Sequence, residues 1–386
     1  MSADVIIVGA GVIGAATAFH LALAGAGEVL VLDRSTAGSG MSCRSSALIR
    51  MHYTFGPEVE LAVRSDAMFD AWPDLTGRPS CVRRTGFVRI VAPGEEDALR
   101  ANVAMQRALG AQAEVIGAAE LKGLAPGLHT GDIECAAWEP HGGYGDGAVV
   151  AGDLLAAARE RGVRYRPHSE VRALIRDGDR ITGVATPAGP LYAGSVLLAA
   201  GVWSPPLLAT AHISLPIETE LHRVAVLAHR PAEGAPVACI DSTTQTYFRP
   251  EAGGSMTLAG SFTGPRGADP DALPMTNRPE DLVPVVQAAA RRVPALADAG
   301  LVRGVSGLYD MTPDARPLLG QLDGLDGLII AAGFSGMGFK IAPAVGESLA
   351  GLITGTPDGS VDLAPFRPGR FADGHPIEAP NPYSDD

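Results

Sequence analysis

A short apolar run, Asp4 to Val8 (DVIIV), stops at Gly9 and is followed by small residues from Val12 to Ala24. A second apolar run, Val29 to Leu32, stops at Asp33. Short β-branched runs closed by glycine or an acid predict strands buried on both faces. The chain therefore opens as a predicted strand–helix–strand unit. Pro57 predicts the start of a helix reaching about Trp72, with Glu58 and Glu60 in its acidic first turn. Past Pro79 the pattern changes to a strand over Gly86–Val91 and an amphipathic helix over Glu95–Leu109. A glycine-rich loop, His141 to Gly147, precedes a helix over Val149–Arg161, and alternating strands lead to a buried strand over Ser195–Ala200.

Between Ile217 and Phe262 short strands dominate, which predicts an antiparallel sheet rather than further βαβ units. A helix over Arg278–Arg292 and a strand over Val302–Leu308 follow. The last unit is a strand over Leu328–Ala332, a glycine turn and a helix over about Ile341–Ile353. No repeat interrupts this order. The chain reads as α/β and interleaved: a nucleotide-binding domain from 1–80, 142–215 and 302–365, and a strand-rich substrate domain from 81–141 and 216–301. Residues 366–386, rich in proline, glycine and acid, read as a loose tail.

Composition narrows the function classes. The 386 residues are 46% hydrophobic and 19% charged, with a net charge of −13 and no lysine or arginine cluster, which excludes a basic footprint for nucleic acid or an anionic membrane. The four cysteines are scattered without a C-x-x-C pair, so no zinc site or disulfide framework is read. Met1 leads directly into the first strand without a basic leader, and the apolar helix near 12–25 is too short to span a bilayer. The expectation is a soluble, cytoplasmic protein.

The chemistry begins at Gly9-Ala10-Gly11-Val12-Ile13-Gly14, between the first strand and helix, with Asp33 nineteen residues beyond Gly14. Gly9 permits the tight turn, Gly11 admits a pyrophosphate, and Gly14 allows close helix–strand packing. The N–H groups at Val12 and Ile13 and the helix dipole favour the diphosphate, and Asp33 can accept both ribose hydroxyls. This fingerprint alone serves NAD or FAD.

Four further stretches resemble the D-amino-acid oxidase superfamily of flavoproteins, and in particular its sarcosine oxidase-like branch. They are Cys43-Arg44-Ser45-Ser46-Ala47-Leu48-Ile49-Arg50 running into Tyr53, Ala200-Gly201-Val202-Trp203-Ser204, Gly307-Leu308-Tyr309-Asp310-Met311-Thr312-Pro313-Asp314, and Gly333-Phe334-Ser335-Gly336-Met337-Gly338-Phe339-Lys340. With the fingerprint they extend from residue 4 to about 355. The resemblance implies an FAD-binding Rossmann-like domain of the glutathione-reductase type, interleaved with an α+β substrate domain built on an antiparallel sheet. It adds Arg34, Arg44, Ser45, Ser46, Val171, Gly201, Trp203, Gly333, Gly336, Met337, Gly338, Phe339 and Lys340 to the cofactor-binding residues. It also implies that Arg50 and Lys340 clamp a substrate carboxylate. A guanidinium fork and an ammonium suit that task. Tyr309 and Tyr247 match aromatic residues near the substrate, although each also reads as a core aromatic; His52, close behind Arg50, reads equally as structural.

Three departures from the sarcosine oxidase pattern stand out. Gly307 occupies the place of the cysteine that attaches FAD in the monomeric enzymes, so FAD is expected to be non-covalent. Leu258 stands where those enzymes have a lysine that activates oxygen, if Gly260 marks the end of that strand. Phe262 and Met337 replace histidines. The resulting expectation is an FAD-dependent amine or amino-acid oxidoreductase that oxidises the C–N bond of a small amine or N-substituted amino acid. A hydride equivalent passes to flavin N5, the imine hydrolyses, and O₂ or another carrier takes the electrons. A D-amino-acid dehydrogenase or oxidase acting on a primary amine, a flavin-binding subunit of a larger complex, and an NAD-dependent dehydrogenase remain open.

Overall fold

In the computed structural model of the chain, residues 2–230, 233–273, 277–356 and 361–385 are described; the other residues of the expected domain ranges lie outside them. The chain opens as β1 (Ser2–Val8), α1 (Val12–Leu23) and β2 (Val29–Leu32). It continues through β3 (Leu48–Ile49), α2 (Gly56–Asp70), α3 (Trp72–Thr76), β4 (Arg83–Arg84), β5 (Phe87–Ile90) and α4 (Glu96–Ala108). Next come β6 (Glu114–Gly117), α5 (Ala118–Leu124), β7 (Cys135–Glu139), β8 (Gly143–Tyr144), α6 (Gly147–Glu160) and β9 (Arg164–Arg166). The middle contributes β10 (Ala173–Asp177), β11 (Arg180–Thr186), β12 (Gly189–Leu198), α7 (Ser204–Ala209), β13 (Glu218–Ala228), β14 (Ala238–Asp241), β15 (Thr246–Glu251) and β16 (Met256–Ser261). Last are α8 (Pro279–Arg292), β17 (Gly300–Met311), β18 (Leu318–Leu322), β19 (Leu325–Ala332) and α9 (Gly338–Thr354). The helix expected over 57–72 divides at Ala71, because Pro73 begins the separate short α3.

The first sheet has the order β10-β11-β19-β12-β1-β2-β9, with β18 beside β19. Its centre is parallel: β19, β12, β1, β2 and β9 run the same way, each paired to the next. Val8 lies opposite Leu198, and Leu198 opposite Ile330, so the turns at Gly9, Ala199–Gly201 and Gly333 emerge side by side at the carboxyl ends. That edge is where open parallel sheets bind ligands. Helices α1, α6 and α9 cover one face through a core that includes Ile7, Phe19, Leu154 and Val345. A Cβ on Gly346 would lie 2.5 Å from Ala16 C, so α9 and α1 approach closely only because that position has no side chain.

The second sheet has the order β17-β13-β16-β15-β14-β5-β7-β6. It is antiparallel except where β14 meets β5. Helix α8 packs on one face with Phe248, Ala259, Leu282 and Val285; the other face presents Phe87, Val224, Tyr247 and Leu258 against Leu48 of the first unit. β17, placed by sequence with the nucleotide-binding ranges, pairs along its length with β13 in this sheet. The segment beyond Pro365 also differs from the expected loose tail. Phe366 and Arg370 are buried, and Arg370 makes two 2.8 Å bonds to the Asp314 carboxylate. Among the described residues no helix is long and apolar enough to cross a membrane.

Candidate functional site

At the carboxyl end of β1, Gly9 has φ of +106°, a left-handed conformation suited to glycine, and a Cβ there would lie 2.3 Å from Ala199 O. Asp33 is aimed by two backbone donors, Ala10 N at 2.8 Å and Ser35 N at 2.7 Å. Gly11 caps α1 without a side chain and no acid stands in the first turn, while Ser42 Oγ accepts from Val12 N at 3.1 Å. A helix start with no acid in its first turn, beside an oriented carboxylate, fits the diphosphate and ribose of a dinucleotide.

Other residues expected to bind the cofactor fall into two groups. Val171 follows the loop in which Ser169 N donates to Asp33 O at 2.7 Å, so it sits beside that end of the site. Arg34 and Trp203 meet at an acid that sequence reasoning missed: Asp271 accepts from Arg34 Nη1 at 2.7 Å and from Trp203 Nε1 at 2.9 Å. The Arg34 guanidinium also lies 4.1 Å from the Trp203 ring centre. Gly201 starts the turn leading to Trp203 with φ of +54°.

The turn between β19 and α9 forms the opposite end. Asp310, at the end of β17, accepts from Gly333 N at 2.7 Å through its carboxylate and from Ser335 N at 3.0 Å through its carbonyl. Burial pushes the Asp310 carboxyl up to about 6. Gly336 has φ of +86°, and a Cβ on it would lie 2.5 Å from the Tyr309 ring. Met337 then caps α9 without a side-chain bond, and no acid occupies the first turn through Gly338, Phe339 and Lys340. A second helix N-terminus free of acids is thus brought to the same sheet edge, where it favours negative charge on a bound ring.

Arg50 and Lys340 converge from different elements. The Arg50 guanidinium donates to His52 O and lies 4.3 Å from the Tyr53 ring centre. Lys340 is buried, with Gly336 O 3.4 Å from Nζ; burial first, then the Arg50 charge, holds its ammonium well below the usual lysine value. Neither cation has a carboxylate within salt-bridge distance among the described residues. Two acids lie in their neighbourhood: Glu58, whose charge acts on Lys340, and Glu139, which accepts from Met51 N at 2.8 Å and which burial pushes up to about 8, so that Glu139 is largely uncharged at neutral pH. His52 Nε2 lies 2.9 Å from the Tyr383 hydroxyl.

Tyr247 and Tyr309 share a hydrogen bond, and burial raises both hydroxyls above their ordinary range. The Tyr309 ring stacks at 3.7 Å on His222, whose Nε2 is 3.1 Å from Glu220 Oε1. Arg266 Nε meets the other Glu220 oxygen at 2.9 Å. Neither Glu220 nor His222 stands out by motif. Their signal is periodic: Glu220, His222 and Val224 alternate inward along β13, so two polar residues occupy buried positions of one strand.

Beside this lies a cavity of about 330 Å³ lined by Arg44, Ser45, Tyr144, Val224, Arg249, Leu258 and Val305, among others. Arg44 Nη1 donates to Ser306 O at 2.8 Å, and Ser46 O accepts from Arg249 Nε at 2.6 Å, which ties the post-Asp33 loop to the second sheet. A Cβ on Gly307 would lie 3.4 Å from Arg44 Cβ.

Comparison with known proteins places these features in context. The family model described as FAD dependent oxidoreductase matches residues 4–352. The chain is 29% identical to the 4-methylaminobutanoate oxidase (formaldehyde-forming) of Paenarthrobacter nicotinovorans, over 94% of this chain but 45% of that protein. It is 27% identical to the sarcosine oxidase subunit beta of Arthrobacter sp, over 98% of this chain and 93% of the relative. Among solved structures it is similar to L-proline dehydrogenase from P. horikoshii, with a TM-score of 0.88 and 27% identity across 97% of this chain and 99% of that one. The chain therefore spans less than half of one relative and nearly all of the other two.

Proposed function

The chain belongs to the DAO family of FAD-dependent oxidoreductases, and from that premise we propose that it oxidises the C–N bond of a small amino acid, N-substituted as in sarcosine, whose carboxylate Arg50 and Lys340 hold. The observation that carries this reading is the approach of the Arg50 guanidinium to the buried Lys340 beside the α9 turn, with no carboxylate within salt-bridge distance of either among the described residues. A buried ammonium beside a guanidinium is costly to charge, and an anionic ligand relieves that cost. FAD, when bound, supplies the two-electron acceptor for the hydride equivalent leaving the carbon beside nitrogen. Gly11, Asp33 and the α1 N-terminus would hold its diphosphate and ribose; the turn from Gly333 to Lys340 would lie along its ring. Arg50 and Lys340 orient the substrate by its carboxylate, and Tyr247 and Tyr309 wall the amine end. The imine product then hydrolyses. Anaerobic mixing with a panel of amines tests the whole reading: bleaching of the flavin absorbance by N-methyl amino acids is expected. Bleaching by D-amino acids alone would transfer the proposal to a primary amine.

Arg50→Lys is expected to lower kcat/KM about tenfold to over a hundredfold, because one charge-assisted bond contributes roughly 1.5–3 kcal/mol and an ammonium cannot copy the fork. The methyl ester of the same substrate should lose far less. Equal losses on acid and ester would mean that Arg50 positions the loop or the cofactor instead.

Lys340 carries a pH signature. Its free form deprotonates well below the usual lysine value, whereas an anion beside it favours the ammonium. Carboxylate binding then takes up a proton above that pKa, and affinity falls as pH rises, approaching about tenfold per pH unit. Titrating acetate against the flavin absorbance should show this slope in the wild type and lose it in Lys340→Met. An unchanged slope in the variant would refute the assignment.

The similarity to a protein named as a subunit, along 93% of its length, supports a second reading in which this chain is the flavin-carrying part of a larger assembly. A purified chain that is loaded with FAD, reduced by no amine alone, and active when co-expressed with its partner would favour it.

A further inference from the structure

The segment 377–385 threads from the first unit onto the second by a series of specific polar contacts. Ile377 N donates to Asp314 Oδ2 at 2.9 Å, and Asn102 Nδ2 of α4 donates to Asn381 O at 2.9 Å. Ser384 N donates to Glu95 Oε1 at 2.6 Å. Asp385 is anchored twice, by Arg89 Nη2 at 2.6 Å in an ion pair whose side chains are 7% and 6% exposed, and by Ser242 Oγ at 2.8 Å. Between these anchors Tyr383 enters the interior. Its ring stacks on His52 with centroids 5.8 Å apart and an angle of 12°, its hydroxyl lies 2.9 Å from His52 Nε2, and Arg89 covers it at 4.9 Å.

His52 is the residue whose main-chain carbonyl accepts the Arg50 guanidinium. Its Nδ1 has no hydrogen-bond partner among the described residues, so the ring is fixed by Tyr383. Arg50 in turn has aromatic rings and that carbonyl around it, with no carboxylate within salt-bridge distance among the described residues. A buried ion pair and a buried hydroxyl–imidazole contact are a poor way to gain stability, since apolar residues of similar size pack as well. Such polar contacts do fix one register of the segment.

We propose that 377–385 is a strap in which Tyr383, acting through His52, positions Arg50 for the substrate carboxylate. The proposal rests on the carboxylate-binding reading given above. Tyr383 is thus a positioning residue, and Asp385 with Arg89 is its anchor. Removing the hydroxyl frees the His52 ring while the stack remains, and Arg50 samples positions unsuited to a bidentate pair. The effect should fall on anion binding rather than on folding or FAD retention.

The test uses FAD-loaded protein and two probes read by flavin absorbance: acetate, and acetamide as its uncharged counterpart. Tyr383→Phe is expected to weaken acetate about three- to tenfold, the size of one neutral hydrogen bond, and to leave acetamide, Tm and FAD content unchanged. Asp385→Asn should act in the same direction. In a His52→Leu background the Tyr383→Phe penalty should vanish, because the contact is already absent. With an oxidisable acid the same variant should raise KM and spare kcat. A lower Tm with unaltered acetate affinity would make the segment structural only and overturn the proposal. Arg50→Lys separates the two readings: acetate binding that depends on Arg50 but not on Tyr383 refutes the strap alone. Acetate binding absent from the wild type, or indifferent to Arg50, refutes the carboxylate site and the strap together.

Discussion

Gly11→Val should give folded protein almost devoid of FAD. The backbone at Gly11 is extended, with φ of −70°, so valine fits the main chain. A Cβ there meets only Ser42 Oγ, at 3.2 Å, the end of a small side chain. Gly14 is different: its Cβ would fall 2.0 Å from Gly9 O and break the turn itself. Gly11 is therefore the position where cofactor binding separates from folding. Its branches would stand over the α1 N-terminus, where the diphosphate must reach the backbone N–H groups. Losing two charge-assisted bonds of roughly 1.5–3 kcal/mol each lowers affinity about a hundredfold or more. The ratio of visible to ultraviolet absorbance after gel filtration reports occupancy, and circular dichroism reports the fold. The wild type should release its FAD intact on heating, given Gly307. A folded valine variant with normal flavin content would remove the fingerprint from the cofactor site.

The parts of the fold that were legible in the sequence are those where a local rule acts. β1, α1 and β2 follow from apolar runs punctuated by Gly9, Gly11, Gly14 and Asp33, and α9 follows from the glycines preceding it. β17 shows where legibility ends. Its existence was readable over 302–308, but its partner β13 lies about eighty residues upstream, and a strand's own residues do not name its neighbour. The segment 377–385 was misread for a related reason. Composition rich in proline and acid predicts a chain without a core of its own, yet single polar residues such as Asp385 and Tyr383 find partners on distant elements.

The candidate site divides in the same way. Arg50 and Lys340 were visible through motif resemblance, and the structure adds that Lys340 is buried close enough to Arg50 to feel its charge. Asp271 and Arg249 carried no motif, and each acts by closing onto a loop remote in sequence. Glu220 and His222 were legible in principle, as polar residues on the inward face of an alternating strand. That face could be identified only once β13 was seen between β16 and β17.

Reduced enzyme is expected to react slowly with O₂, and Leu258→Lys is expected to accelerate it by about a hundredfold or more. The register supports the position. Tyr247 lies opposite Gly260 and Arg249 opposite Leu258, so Leu258 projects from the same sheet face as Tyr247. It is buried in the wall of the 330 Å³ cavity that Arg44 and Ser45 border, which leaves room for a longer side chain. O₂ reduction begins with a single electron, and the superoxide formed is stabilised by a fixed cation in a dry site. Arg44, Arg83, Arg249 and Arg303 also border that cavity, and Arg44 is bonded to Ser306 O. Arg266, 58% exposed, is tied to Glu220 and Glu218. Arg249 faces the cavity, but Glu251 sits 2.9 Å away and neutralises it. Lys340 loses its charge readily when no anion is bound. The measurement is photochemical reduction, mixing with air-saturated buffer in a stopped-flow instrument, and comparison with turnover on an artificial acceptor. Wild-type reoxidation faster than that turnover would make the protein an oxidase and would point to Arg249 as the cation retained in its active form. Slow reoxidation that Leu258→Lys does not improve would show that the site of O₂ attack lies on another wall of the cavity.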